Sequence, residues 1–214
     1  FDGWAECGVV DGARGIEPVF GQPTADAYGY GERNGAAMSM SRHRREEILR
    51  VDHAGEYGAV AIYKGQLAVF ERQHGKERIV GQLKEMAAQE QEHLDAFNRM
   101  LSAGSVRPTA MSPVWNAAGF ALGVGTALLG EKAAHACTEA VETVIEEHYG
   151  DQVVELREAG DDQLAETMAK FQEEEVSHKE LAASEGAAEA PAYPLLSAII
   201  RTGCRLAIRI SEKV

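Results

Sequence analysis

The stretch Ala88-Gln-Glu-Gln-Glu-His-Leu94, AQEQEHL, sets Glu90 and His93 three residues apart inside a run of helical periodicity. Leu94 and Phe97 place the same face towards a core. A glutamate and a histidine one helical turn apart, on a side that should be buried, point to a metal ligand pair. A second copy stands at Glu175 and His178, and a third at Glu71 and His74. One such pair carries little weight in a chain with 34 acidic residues. The surroundings of two of them carry more.

Glu56 precedes Glu90 by 34 residues, and Glu142 precedes Glu175 by 33. Tyr63 follows Glu56 by seven residues, and Tyr149 follows Glu142 by seven. Seven residues is about two helical turns, so each tyrosine shares a face with its glutamate. The chain therefore carries an internal repeat, each half reading Glu, helical span, Glu-x-x-His. Glu56 and Glu90 flank Gly75 roughly symmetrically, as Glu142 and Glu175 flank Gly160. Antiparallel helices folded at those glycines bring all four acids to one level of a bundle. Glu71 and His74 fail this test and are read as surface residues.

Four inward carboxylates are tolerable only if protonated or neutralised by cations. Two divalent ions balance four carboxylates and two neutral imidazoles. One Glu from each of two helices, with Glu-x-x-His from each of the other two, is the ligand pattern of di-iron and di-manganese bundles. The expected metal ligands are Glu56, Glu90, His93, Glu142, Glu175 and His178. The oxygen-rich set suits iron or manganese over copper(I) or structural zinc.

The periodicity predicts an all-α fold. Helix boundaries are expected near Ser41 to Gly75, Lys76 to Leu101 with Gly104 as the stop, and Asp161 or Asp162 to Ser184. A single helix is expected to run from the apolar stretch Val114–Gly130 through Glu142 to Glu158. A last helix spans Pro194 to Ser211. Residues 1–41 hold eight glycines and no stable apolar period, and are read as a flexible tail ahead of a 42–214 domain. The chain begins at Phe1 rather than Met, so a start further upstream is expected, and no secretory signal pattern is visible.

With 45% apolar residues the chain is globular, and its net charge of −13 argues against nucleic acid as a partner. Cys7, Cys137 and Cys204 form no C-x-x-C, which suits a reducing compartment and excludes a cysteine-type zinc site. The seventeen residues from Val114 to Gly130 fall short of the roughly 20 that span a bilayer, so an interfacial or substrate-lining role is favoured. Arg201, Arg205 and Arg209 make a basic stripe on the last helix, which fits an anionic membrane surface. Arg42, Arg44 and Arg45 form a second basic cluster, suggesting an external anionic partner. Asp52, one turn before Glu56, either orients a ligand histidine or is an exposed or helix-capping residue; His53 is read as no ligand.

The blocks RVDHAGEYGAVAIYKGQLAVF (Arg50–Phe70), EQEHLDAFNRML (Glu90–Leu101) and EEEVSHKE (Glu173–Glu180), with YPLLSAIIRTGCRLAIRISEKV at the end, resemble the demethoxyubiquinone hydroxylase family. The likeness covers residues 42 to 214. It implies a ferritin-like four-helix bundle with an additional apolar segment and a C-terminal amphipathic helix. It implies two iron ions (Fe2+) held by the six residues named above, O2 as co-substrate, and hydroxylation of a polyprenyl methoxy-methyl-benzoquinol to demethylubiquinol. It also implies a peripheral place on the bacterial inner membrane, or on the mitochondrial inner membrane in a eukaryote, often with a lipid-binding partner of the same pathway. Self-association into a homo-oligomer stays open. No G-x-G-x-x-G after a strand is present, so an external reductant is required. Tyr63, Tyr149 and His148 are further candidate catalytic residues. A stretch from Gly119 to Leu129, with the last helix, is expected to form a slot for the polyprenyl tail. The rival readings are a ferritin-like iron oxidase or store, a rubrerythrin-like peroxidase, and a non-enzymatic membrane-associated bundle.

Overall fold

The computed structural model describes residues 40–213; nearly all of the glycine-rich 1–41 segment lies outside them. Six α-helices account for the described chain, with no strand among the described residues: α1 (Arg42–Phe70), α2 (Glu77–Gly104), α3 (Ser112–Leu128), α4 (Glu131–Glu158), α5 (Asp162–Ser184) and α6 (Tyr193–Ser211). The Ser41 hydroxyl caps α1 by accepting from the Arg44 amide, and Asp161 caps α5 by accepting from the Leu164 amide. Gly75 and Gly160, at φ 76° and 75°, make the reversals after α1 and α4. The sequence thus places both antiparallel pairs correctly, α1 with α2 and α4 with α5.

Two boundaries differ from expectation. Gly104 is the last residue of α2, and Ser105 takes the left-handed position beyond it at φ 54°. The apolar stretch does not run into α4. Gly130 adopts φ 110°, which ends α3 and starts a separate α4. Both helices are apolar on their inner faces, so periodicity hides the break that one positive-φ glycine makes.

α3 lies parallel to α1 with backbone against backbone. A Cβ built on Gly123 would sit 2.0 Å from the Ile62 carbonyl oxygen, and one on Gly119 2.6 Å from that of Gly58. A Cβ on Gly65 would meet the Phe120 carbonyl oxygen at 2.3 Å. A Cβ on Gly125 meets nothing within 4 Å. Gly123→Ala should therefore destabilise the protein by about 1–3 kcal/mol, whereas Gly125→Ala should be neutral or gain up to about 1 kcal/mol. Urea midpoints of the two variants test the contrast.

α1, α2, α4 and α5 form the bundle. Two apolar clusters fill it. One gathers Ile48, Phe97, Leu156 and Met168; the other Phe70, Ile79, Leu83 and Met86. The helix positions between these clusters carry the polar centre described below.

The basic cluster at the start of α1 is consumed within the fold. Arg44 pairs with Glu155 at 2.8 Å, Arg45 with Asp161 at 2.7 Å and Arg42 with Glu46 at 2.7 Å. The first two bridges tie α1 to the end of α4 and the α4–α5 turn, while the Arg42 pair lies within α1 and leaves that side chain largely exposed. The α6 stripe is also partly consumed: Arg201 meets Glu139 at 3.0 Å and Arg205 meets Glu147 at 2.9 Å, while Arg209 is exposed.

Candidate metal centre

Helical spacing carries Glu56 on α1, Glu90 and His93 on α2, Glu142 on α4, and Glu175 and His178 on α5 to one level of the bundle. All six are buried. They form two overlapping groups, Glu56–Glu90–His93–Glu175 and Glu90–Glu142–Glu175–His178. In each group one donor atom per residue lies within 4.8 Å of all the others. Glu90 and Glu175 belong to both groups, while Glu56 with His93, and Glu142 with His178, belong to one each. Glu71 is remote from them, on the surface beside Lys84 at 2.8 Å.

The donor atoms converge. His93 Nδ1 lies 3.1 Å from Glu175 and 3.6 Å from Glu56. His178 Nδ1 lies 3.1 Å from Glu90 and 3.3 Å from Glu175. Glu56 Oε2, Glu90 Oε1, both oxygens of Glu175 and both Nδ1 atoms are buried without a hydrogen-bond partner. Buried polar atoms left unpaired at one point are costly, and a cation between them removes the cost. The residues therefore fit a pair of divalent metal ions.

Proton chemistry says the same. Burial, reinforced by neighbouring carboxylates, drives Glu90 and Glu142 well above the usual carboxylate range, and burial also raises Glu56. Glu175 and His93 are instead held in their charged forms against burial: His178 and His93 hold Glu175 at about 2, and Glu175 and Glu56 hold His93 at about 11. Without metal, the folded protein keeps protons that the unfolded chain releases. A group raised above its unfolded value stabilises below that value and loses this as pH rises. With His93 held at about 11, the metal-free protein should thus lose stability as pH rises from about 6.5 towards about 11, by up to about 1.4 kcal/mol per pH unit, and the raised glutamates lose theirs above the ordinary carboxylate range. The metal-loaded protein should show little slope. Urea midpoints with and without chelator measure the difference.

The two tyrosines reach across the repeat rather than along their own helices. Tyr63 on α1 donates to Glu142 on α4 at 3.0 Å, and Tyr149 on α4 donates to Glu56 on α1. Burial holds both phenols well above their ordinary pKa, so both remain donors. His148 is not brought to the carboxylates. Its Nε2 lies 3.1 Å from Asp52, which also accepts from Gln152 at 2.9 Å. Asp52 therefore partners His148, not a ligand histidine. His53 faces Asn98 at 3.0 Å and stays outside the cluster.

The partners of the two cluster histidines are residues the sequence reading missed. His93 Nε2 meets Glu174 at 2.6 Å, and His178 Nε2 meets Gln89 at 2.6 Å. Each partner immediately precedes the glutamate of the opposite Glu-x-x-His. That adjacency was visible, but only the cross-bundle pairing gives it meaning.

Beside the centre lies an apolar slot of about 440 Å³. α1 supplies Ala54, Gly55 and Gly58, α4 supplies Val141 and Ile145, and the other walls are Trp115, Gly119 and Leu122 of α3 and the Ile199–Ser211 part of α6. Gly55 and Val141 are the sequence neighbours of Glu56 and Glu142, so slot and cluster share α1 and α4, although none of the six cluster residues lines the slot. The expected lining by Gly119–Leu129 holds for its first part; Leu128 and Leu129 point outward, with Leu128 70% exposed.

An all-helical bundle with a buried, overlapping Glu/His set able to hold metal defines the class: a ferritin-like carboxylate bundle. The family model described as ubiquinone biosynthesis protein COQ7 matches residues 43–211, and the chain belongs to that family. It is 50% identical over 171 residues to a 3-demethoxyubiquinol 3-hydroxylase of Rhodospirillum rubrum, covering 79% of this chain and 78% of that one. It is 44% identical over 179 residues to the mitochondrial NADPH-dependent 3-demethoxyubiquinone 3-hydroxylase of Homo sapiens, covering 82% and 81%. A 5-demethoxyubiquinone hydroxylase, mitochondrial, from Saccharomyces cerevisiae is 37% identical over 183 residues, covering 79% and 78%.

Proposed function

We infer that this chain is a monooxygenase of ubiquinone biosynthesis that hydroxylates a demethoxyubiquinol ring with O2. The observation that carries the reading is that the buried Glu/His cluster and an apolar slot are built on the same two helices, α1 and α4. One oxygen atom enters the ring and the other leaves as water, which takes two electrons and two protons from an external donor. The human relative's name carries NADPH, consistent with such a donor.

Glu56, Glu90, His93, Glu142, Glu175 and His178 hold two iron ions, and those ions supply the redox chemistry that activates O2. The protein's own part is positional. Tyr149 and Tyr63 fix the terminal carboxylates Glu56 and Glu142 by hydrogen bonds across the repeat. The slot excludes water and holds the polyprenyl tail, each buried CH2 contributing about 0.8 kcal/mol. A slot of about 440 Å³ accommodates a ring with the first part of its tail.

Val114, Phe120 and Leu128 of α3 and Leu195, Ile199 and Leu206 of α6 are exposed, on two of the four helices that wall the slot. No helix among the described residues is long and apolar enough to cross a membrane. These features support a peripheral seat on a lipid surface from which a polyprenyl quinol enters. The human and yeast relatives are named mitochondrial, and the Rhodospirillum relative is bacterial. The corresponding seat for this chain is the inner membrane in either setting.

Anaerobic reconstitution with iron, reduction, and addition of 18O2 with a demethoxy-quinol tests the function. One labelled oxygen in the ring product is expected. Two irons per chain with no product, and continued iron uptake beyond two, would favour an iron oxidase or store.

A further inference from the structure

The two halves of the centre are matched in their cluster residues but not in what backs their histidines. Each has a terminal glutamate held by a tyrosine from the opposite half, Glu56 by Tyr149 and Glu142 by Tyr63. Each has one histidine whose Nδ1 faces the cluster, and both share Glu90 and Glu175. With Nδ1 turned inward as a ligand atom, Nε2 must carry the proton and donate it outward. His93 donates to a carboxylate, Glu174, and His178 to an amide, Gln89, both at 2.6 Å. A hydrogen bond to a charged acceptor is about twice as strong as one between neutral groups. It pushes electron density into the imidazole and makes its other nitrogen a better donor to metal. Phe171 adds to the difference by covering the His93 ring, with centroids 4.1 Å apart.

We propose that Glu174 and Gln89 are positioning residues that make the two metal positions unequal, the His93 position binding more tightly and being the more electron-rich. This rests on the dinuclear reading above. The inequality lies in the residues that back the ligands, since the ligand sets themselves are equivalent. An exchange of one acceptor for the other is therefore sufficient to erase or reverse it.

The test is anaerobic titration of the metal-free protein with Co2+ and, separately, with 57Fe2+ followed by Mössbauer spectroscopy. Two binding steps separated about tenfold or more, and two quadrupole doublets of equal area, are expected for the unaltered chain. Glu174→Gln should weaken the tighter step about tenfold and draw the doublets together. Gln89→Glu should tighten the weaker step and also draw them together. The double exchange should restore two unequal steps. Identical steps and a single doublet in the unaltered chain, or isotherms unmoved by either substitution, would overturn the inequality while leaving the dinuclear centre standing. Absence of any stoichiometric binding would overturn both. The two single substitutions are near-isosteric and act in opposite directions on affinity, so a general loss of folding cannot imitate the pattern.

Discussion

Replacing Glu90 with leucine should abolish stoichiometric metal binding and turnover while making the metal-free protein more stable. Glu90 belongs to both donor groups, so its loss damages both positions at once. The activity loss should exceed the roughly 10–100-fold that follows removal of a group that merely backs a ligand. Stability moves the other way because Glu90 is buried and one of its oxygens has no hydrogen-bond partner. Removing a buried polar atom that lacks a partner recovers its desolvation penalty, about 1–3 kcal/mol. Metal content by elemental analysis, and urea unfolding in chelator, report the two halves of the result. A metal-free variant less stable than the metal-free unaltered chain would show that the carboxyl contributes to the fold in its own right.

Filling the slot should be nearly as damaging to catalysis while sparing the metals. A Cβ on Gly58 meets nothing within 4 Å, and Gly58 lines the slot. In Gly58→Leu the side chain has only the slot to occupy. If it displaces about five methylenes of the substrate tail, at about 0.8 kcal/mol each, roughly 4 kcal/mol of binding is lost. That corresponds to about a thousandfold in kcat/KM. Two metals per chain and unchanged cooperative unfolding are expected alongside. Gly81→Leu, on an exposed position with equal room, serves as the comparison.

The pattern of Glu56, Glu90, Glu142 and Glu175 about two turns was legible in the sequence because helical rise is regular and a tight reversal fixes register. The same regularity made the histidines legible. What escaped has a different physical origin. The end of α3 depends on one dihedral at Gly130, which an apolar run does not reveal. The destination of Arg44 and Arg45 depends on where the distant α4–α5 turn falls. Glu174 and Gln89 look like surface residues of polar helices until the opposite helix is placed beside them. Asp52 shows the limit of one-helix reasoning: one turn from Glu56, it lies on a face that meets His148 and Gln152.

The walls of the slot differ in stiffness. α3 is pressed onto α1 through Gly65, Gly119 and Gly123, with no side-chain layer between them that could yield. α1 carries Glu56, so any displacement of that wall would disturb the Glu/His cluster. α6 is fastened to α4 by Arg201–Glu139 and Arg205–Glu147, side-chain links that remain partly in water. Such links contribute at most about 1 kcal/mol each and weaken with salt. Rising ionic strength should therefore loosen the α6 wall to its apolar contacts, Ile200 with Cys137, Ala140 and Val141, and leave the α1–α3 wall as it is.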